Sequence, residues 1–358
     1  VLSNFSVNAA SFQCENAGYD FKREHSWLNI MPPFIAYGIG NGLHLPLSCG
    51  MEVILIPQFD PNKFDELLLE NKPNHMVGVP SHYGNIIHSK KLKNEDLSYV
   101  IAPTVGGDKM DENLEKETNE FLREHNCEYK VVKGYGMTEV NAAVAACTSN
   151  ETNKIGSVGI PFPNTTISIF DPKTGEELGY NEKGEVCITG PNTMLGYFNN
   201  DEETNKILRK HEDGNVWVHS GDIGYMDADG NLYIVDRLKR MIIRPDGFKI
   251  FPSLIEDVVV KHPLVQSCKA VGLRDFSFSQ GKLPKVHVVL NETDRNPEAI
   301  ENEILMLCEE QLPEYYWPCE IEFNESLPLT PIGKIDYLKL EKEDYEKQLA
   351  ATKKLVKK

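Results

Sequence analysis

Apolar and polar positions alternate along the first 160 residues in two different rhythms. Met51-Glu52-Val53-Ile54-Leu55-Ile56-Pro57 is a short apolar run closed by proline, which predicts a strand. Phe64 to Asn71 has the mixed apolar and acidic spacing of an amphipathic helix, and His75 to Pro80 is again strand-like. Leu114 to Asn126 predicts a further helix, followed by a strand over Tyr129 to Val132. Strands alternating with helices imply a parallel sheet covered on both faces.

The rhythm shortens after Gly156. Thr166-Ile167-Ser168-Ile169-Phe170 alternates, Asp171 to Gly175 carries turn chemistry, and Gly184 to Gly190 is another short strand, so a small barrel or sandwich is expected. Around Asp236 a third texture begins. It predicts a helix (Pro252 to His262), two strands (Lys269 to Leu273, Lys285 to Leu290), a helix (Pro297 to Leu312) and a strand (Ile321 to Phe323). Lysine-rich Leu338 to Lys358 reads as a solvated helix or frayed tail. The fold class is therefore α/β. A parallel-sheet subdomain over residues 1–156 is followed by a small β-barrel-like subdomain over 157–236, then a small α+β domain over 237–358.

Composition narrows the function. The 358 residues carry 37 basic and 54 acidic side chains, a formal charge of −17. So acidic a surface repels phosphate backbones and anionic lipid, which argues against nucleic acid and membrane partners. No stretch approaches the roughly 20 apolar residues of a membrane span. Eight scattered cysteines form no Cys-x-x-Cys pair and favour reduced thiols in a cytoplasmic protein. Val1-Leu2-Ser3-Asn4-Phe5 reads as mid-chain sequence, so a fragment is expected.

Common signatures fail. Gly38-Ile39-Gly40-Asn41-Gly42-Leu43 has Leu where a dinucleotide fingerprint needs glycine, and neither a P-loop nor a nucleophile elbow is present. Asp227-Ala228-Asp229-Gly230-Asn231 lacks the spacing of a calcium loop and predicts a hairpin turn.

Four segments carry chemistry. Gly134-Tyr135-Gly136-Met137-Thr138-Glu139 follows a predicted strand; its glycines let backbone approach a ligand, and its hydroxyl and carboxylate can hold a phosphate oxygen and Mg²⁺ together. His219-Ser220-Gly221-Asp222 offers a carboxylate to both hydroxyls of a ribose, and Asp236-Arg237 adds a planar guanidinium. Met241 to Pro252 reads as a strand, a turn at Gly247 and a second strand. Pro331-Ile332-Gly333-Lys334 presents a lysine on a shaped loop. Taken singly, each is more simply a surface turn or a solvated charge.

In this order and approximate spacing the four segments resemble the core motifs of the adenylate-forming superfamily, which includes the acyl-CoA synthetases. The resemblance runs from about Val1 to Leu340. It implies that Gly106, Gly107, Asp108 and Tyr135 frame an adenine, with Gly136 beside them. Thr138 would contact the α-phosphate, Glu139 would ligate Mg²⁺, and Asp222 and Arg237 would hold the ribose. Asp236 would be the hinge of a mobile lid, Lys334 would serve the adenylation step, the Gly247 turn would lie beside the thiol channel, and Lys249 falls near a cofactor-binding position often polar or basic in the family. The implied cofactors are ATP or AMP, Mg²⁺ and CoA, and the implied substrate is a small carboxylic acid.

Two departures qualify the resemblance. The family's Ser/Thr/Gly-rich phosphate loop is absent, so this piece alone is expected to adenylate weakly or not at all. Ile35 stands where amino-acid-activating relatives carry Asp, which points to a plain carboxylic acid. Transfer to a carrier-protein pantetheine, or a non-catalytic nucleotide-binding fragment, remain alternatives.

Overall fold

The computed structural model describes residues 1–277, 280–330 and 334–356. Pro331, Ile332 and Gly333 of the fourth motif and Lys357 and Lys358 of the tail lie outside the described residues. Two compact units form, Val1–Ile234 and Val235–Lys358.

The first unit opens with helix α1 (Asn4–Glu15), capped by Ser3, whose hydroxyl accepts from Ser6 N–H at 2.9 Å. There follow β1 (Ser26–Asn29), a π-helical turn over Tyr37–His44, α2 (Leu45–Ser48), β2 (Glu52–Leu55), α3 (Phe64–Asn71), β3 (His75–Gly78), α4 (Pro80–Ile87), β4 (Ala102–Val105), α5 (Glu112–Glu124), β5 (Val132–Met137), β6 (Ala142–Ala146) and β7 (Ile160–Pro161). These strands make one sheet in the order β2-β1-β3-β4-β5-β6-β7. The pairs from β2 to β5 are parallel, whereas β6 and β7 add antiparallel strands beyond them. Phe64 and Leu68, four apart on α3, are both fully buried in the core with Leu28, Met76 and Tyr83.

In this sheet the strand that carries the glycine motif departs from the sequence pattern. Tyr129 to Val132 is not the strand; it starts at Val132 and runs through the glycine motif to Met137. Two glycines in six residues hide its period. They are tolerated because Ala-rich β6 packs close, and a Cβ on Gly136 would stand 1.7 Å from the Ala142 carbonyl oxygen. Just before the motif, buried Lys133 pairs with buried Glu115 of α5 and donates to the Lys154 carbonyl at 2.7 Å. Glu115 Oε2 also accepts from Gly156 N–H at 3.0 Å, so this ion pair is hydrogen-bonded on both sides.

A second sheet follows. It comprises β8 (Thr166–Phe170), β9 (Gly184–Thr189), β10 (Leu208–Lys210) after α6 (Asp201–Ile207), β11 (Val216–Met226) and β12 (Leu232–Arg237). Its order is β10-β11-β9-β8, with β12 also paired to β11. The Asp227–Asn231 turn joins β11 to β12 as expected, Asp227 N–H donating to the Asn231 carbonyl at 3.0 Å.

The second unit begins with a small hairpin, β13 (Ile242–Ile243) and β14 (Lys249–Ile250), then α7 (Pro252–Val259). Antiparallel β15 (Val265–Arg274) and β16 (Lys282–Leu290) follow, then α8 (Pro297–Gln311), β17 (Glu320–Phe323) parallel to β16, and α9 (Tyr337–Val356). Both strands are longer than their apolar runs suggest, because β15 and β16 pair along their whole length. Ile255, Val286, Val288, Ile300 and Ile304 form the core. Buried Asp344 fixes α9 to β16 by accepting from Lys285 Nζ and His287 Nε2, each at 2.8 Å.

Candidate active site

Parallel strands present their carboxyl ends to ligands, and here β3 and β4 end beside each other. Gly106, just past β4, is buried and donates to the Gly78 carbonyl at 3.1 Å. Tyr37, on the π-helical turn, lies against Gly106 and donates its hydroxyl to the same carbonyl at 3.3 Å. Burial pushes the Tyr37 phenol up. Gly107 and Asp108 are exposed, Asp108 Oδ1 accepting from Lys109 N–H at 2.9 Å.

Tyr135 and Asp222 meet. The Tyr135 hydroxyl donates to Asp222 Oδ2 at 2.6 Å, across 87 residues of sequence, joining the two sheets. Each sits at an irregularity. The β5–β6 register slips between Tyr135 and Gly136. On β11, Ser220, Gly221 and Asp222 together stand opposite the single Val186 of β9, between the pairs His219–Cys187 and Ile223–Glu185. Such a bulge re-aims one side chain out of the pleat. Asp222 is only 2% exposed.

Thr138 and Glu139 lie on the 3₁₀ turn between β5 and β6. Thr138 is exposed and Glu139 half-buried. The Tyr197 hydroxyl donates to Glu139 Oε1 at 2.6 Å, and burial with that carboxylate pushes the Tyr197 phenol up. The Glu139 carbonyl accepts from Met194 N–H at 2.8 Å, so the following loop fixes both ends of this residue.

The remaining residues belong to the second unit. Asp236 is buried and its carboxylate takes three donors: Arg237 N–H at 2.7 Å, Arg240 Nη1 at 3.1 Å and Ser253 N–H at the start of α7 at 2.8 Å. The Arg237 side chain is exposed. Gly247 turns the hairpin at φ +88, donating to the Arg244 carbonyl at 2.9 Å, and Lys249 on β14 pairs with Ile243 on β13. Arg244 grips Asp246 at 2.8 Å, and exposed Phe248 stacks on Tyr315 with centroids 4.5 Å apart. Lys334 is exposed; its carbonyl accepts from Thr330 N–H at 2.7 Å.

Two residues that the motifs did not single out hold the site's carboxylate segments: Tyr197 on Glu139, and Glu185 beneath the Asp222 bulge. The only signal of Glu185 was an acid inside the apolar run Gly184-Glu185-Val186-Cys187-Ile188. Tyr197 carried none.

Residues 1–198 match the family model described as AMP-binding enzyme, and residues 254–334 match the AMP-binding enzyme C-terminal domain. The chain belongs to the AMP-binding enzyme family. It is 32% identical over 347 residues to a long-chain-fatty-acid–CoA ligase of Bacillus subtilis (strain 168), covering 97% of this chain and 59% of that protein. It is 33% identical over 337 residues to a probable 4-coumarate–CoA ligase 1 of Dictyostelium discoideum, covering 93% and 58%. The chain thus spans less than two thirds of the length of these relatives. ATP-bound MatB from Rhodopseudomonas palustris shares the fold, with a TM-score of 0.85 at 24% identity over 96% of this chain and 64% of that one. Among the described residues no helix is long and apolar enough to cross a membrane.

Proposed function

We propose that the protein activates a carboxylic acid with ATP and passes the acyl group to a thiol. In the first step a substrate carboxylate oxygen attacks the α-phosphorus, the bond to pyrophosphate breaks, and an acyl-adenylate forms. In the second a thiol sulfur attacks the acyl carbon, loses its proton, and AMP leaves. The observation that carries this reading is the Tyr135–Asp222 contact, which unites two distant motifs at one buried carboxylate.

Asp222 accepts both ribose hydroxyls, a carboxylate being an acceptor of several hydrogen bonds at once. Arg237 adds the second ribose contact. Gly106, Gly107, Asp108 and the Tyr135 ring frame the adenine, with Gly136 letting the strand pass close. Thr138 donates to the α-phosphate. Glu139 suits a magnesium ion, because one of its oxygens is already oriented by Tyr197 and magnesium takes one or two carboxylates beside phosphate oxygens and water. Such an ion, when bound, offsets the negative charge of the polyphosphate.

Lys334 serves the first step, its compact ammonium drawing the substrate carboxylate and the α-phosphate together. The Gly247 turn serves the second, beside the thiol. Asp236 is the hinge residue, its carboxylate tied to the start of α7. The relatives named as CoA ligases favour coenzyme A over a carrier-protein pantetheine as the acceptor, and Ile35 favours an acid without an α-amine.

Calorimetric titration with AMP tests the nucleotide site. Asp222→Ala should weaken binding by about 2–3 kcal/mol, the cost of ribose hydroxyls left unpaired in a closed site. Unchanged affinity would remove the ribose assignment.

A further inference from the structure

The bulge that aims Asp222 is clamped from below. Glu185, 5% exposed on β9, spans it with both oxygens. Oε1 accepts from Gly221 N–H at 3.1 Å and Oε2 from His219 Nδ1 at 2.8 Å. His219 Nε2 in turn lies 2.9 Å from His211 Nε2, within hydrogen-bond distance. From the other side, Ser220 Oγ donates to the Val186 carbonyl at 2.6 Å and accepts from Asp222 N–H at 3.0 Å. Every backbone N–H of Gly221 and Asp222 is therefore held by Glu185 or Ser220. Gly221 itself has φ +68, and a Cβ there would meet nothing within 4 Å, so crowding does not shape the bulge. The hydrogen bonds do.

Glu185, Cys187 and His219 also offer three donor atoms within 4.8 Å of one another. The geometry favours a proton between them over a metal. Oε2 and Nδ1 are 2.8 Å apart, whereas two ligands on a tetrahedral zinc stand about 3.3 Å apart at ordinary bond lengths. For Glu185, burial alone would raise the carboxyl; the His219 and Gly221 donors prevail and hold it below its ordinary value.

We propose that Glu185 and Ser220 are positioning residues that fix the Asp222 carboxylate for the ribose hydroxyls. The proposal rests on the reading of Asp222 as the ribose contact. It makes nucleotide affinity depend on two side chains that never touch the nucleotide.

The test compares AMP with 2′,3′-dideoxy-AMP by calorimetry, the affinity ratio reporting the hydroxyl contacts alone. Asp222→Ala should bring the ratio close to one. Glu185→Ala should lower it about tenfold and Ser220→Ala about threefold, the range of one or two hydrogen bonds, with dideoxy-AMP affinity nearly unchanged. General loosening of the unit would weaken both ligands equally. An unchanged ratio in Asp222→Ala overturns the ribose reading and the clamp with it. A ratio that collapses in Asp222→Ala but survives in folded Glu185→Ala overturns the clamp alone. Should Glu185→Ala not fold, Ser220→Ala decides by the same criterion.

Discussion

The proposed nucleotide contacts of the first unit and the proposed lid loops of the second carry motifs of similar strength in sequence, yet they are built differently. Tyr135, Glu139 and Asp222 sit on or beside sheet strands, and each has a partner within 2.6 Å brought from a distant segment. Gly247 sits on an exposed turn stitched by a local bond between Arg244 and Phe248, and exposed Lys334 is held through its own carbonyl by Thr330 N–H. The difference suits the two tasks. On the proposed roles, groups that recognise a ligand before any chemistry are preorganised by packing, whereas those that serve successive steps are held only by local backbone bonds.

Acid should separate the two units. Burial, with His25 beside it, lowers the His75 imidazole to about 3, and burial lowers His82 to about 4. Unfolded histidine takes up its proton near 6.5. Between those values the unfolded first unit binds more protons, so its stability falls as pH drops from about 6.5. The loss reaches roughly 3 kcal/mol from each histidine by pH 4. In the second unit, burial alone would raise Glu256 and Asp344. Lys269 and Arg240 around the first, and His287 and Lys285 around the second, hold them low instead. The stability these two carboxylates contribute is present above the ordinary carboxylate value and fades only as pH falls below it. Melting curves from pH 7 to 4 should show the first unit weakening earlier; simultaneous loss would erase the contrast.

The support beneath the glycine motif can be broken directly. Glu115→Ala leaves the Lys133 ammonium buried without its carboxylate and should cost about 3–5 kcal/mol. Denaturant unfolding should place that loss in the first unit.

One substitution made in both regions sharpens the comparison. Gly136→Ala forces a Cβ onto the Ala142 carbonyl and should cost about 3 kcal/mol. Gly247→Ala meets nothing within 4 Å and bears only its positive φ, about 1 kcal/mol. Equal melting shifts would contradict the distinction.

Much of the fold was legible because period and composition agree. Phe64–Asn71 and Thr166–Phe170 have the bounds their patterns predict. The strand Val132–Met137 was not, since its glycines are explained only by the close approach of β6. Residue types and order pointed to Tyr135 and Asp222, but their contact depends on two bulges that no spacing encodes. Glu185 and Tyr197 stayed hidden for the same reason: cross-strand register and loop path, not sequence neighbours, bring them to the site.

The central claim is that one protein performs two half-reactions with different loops of the second unit. The direct measurement follows each half-reaction separately, as carboxylate-dependent pyrophosphate exchange and as thioester formation from supplied acyl-adenylate. Lys334→Ala should slow the exchange by about 10²–10³ and spare thioester formation, while Gly247→Leu should do the reverse. Loss of both steps in equal proportion by both variants, with melting curves unchanged, would contradict the account.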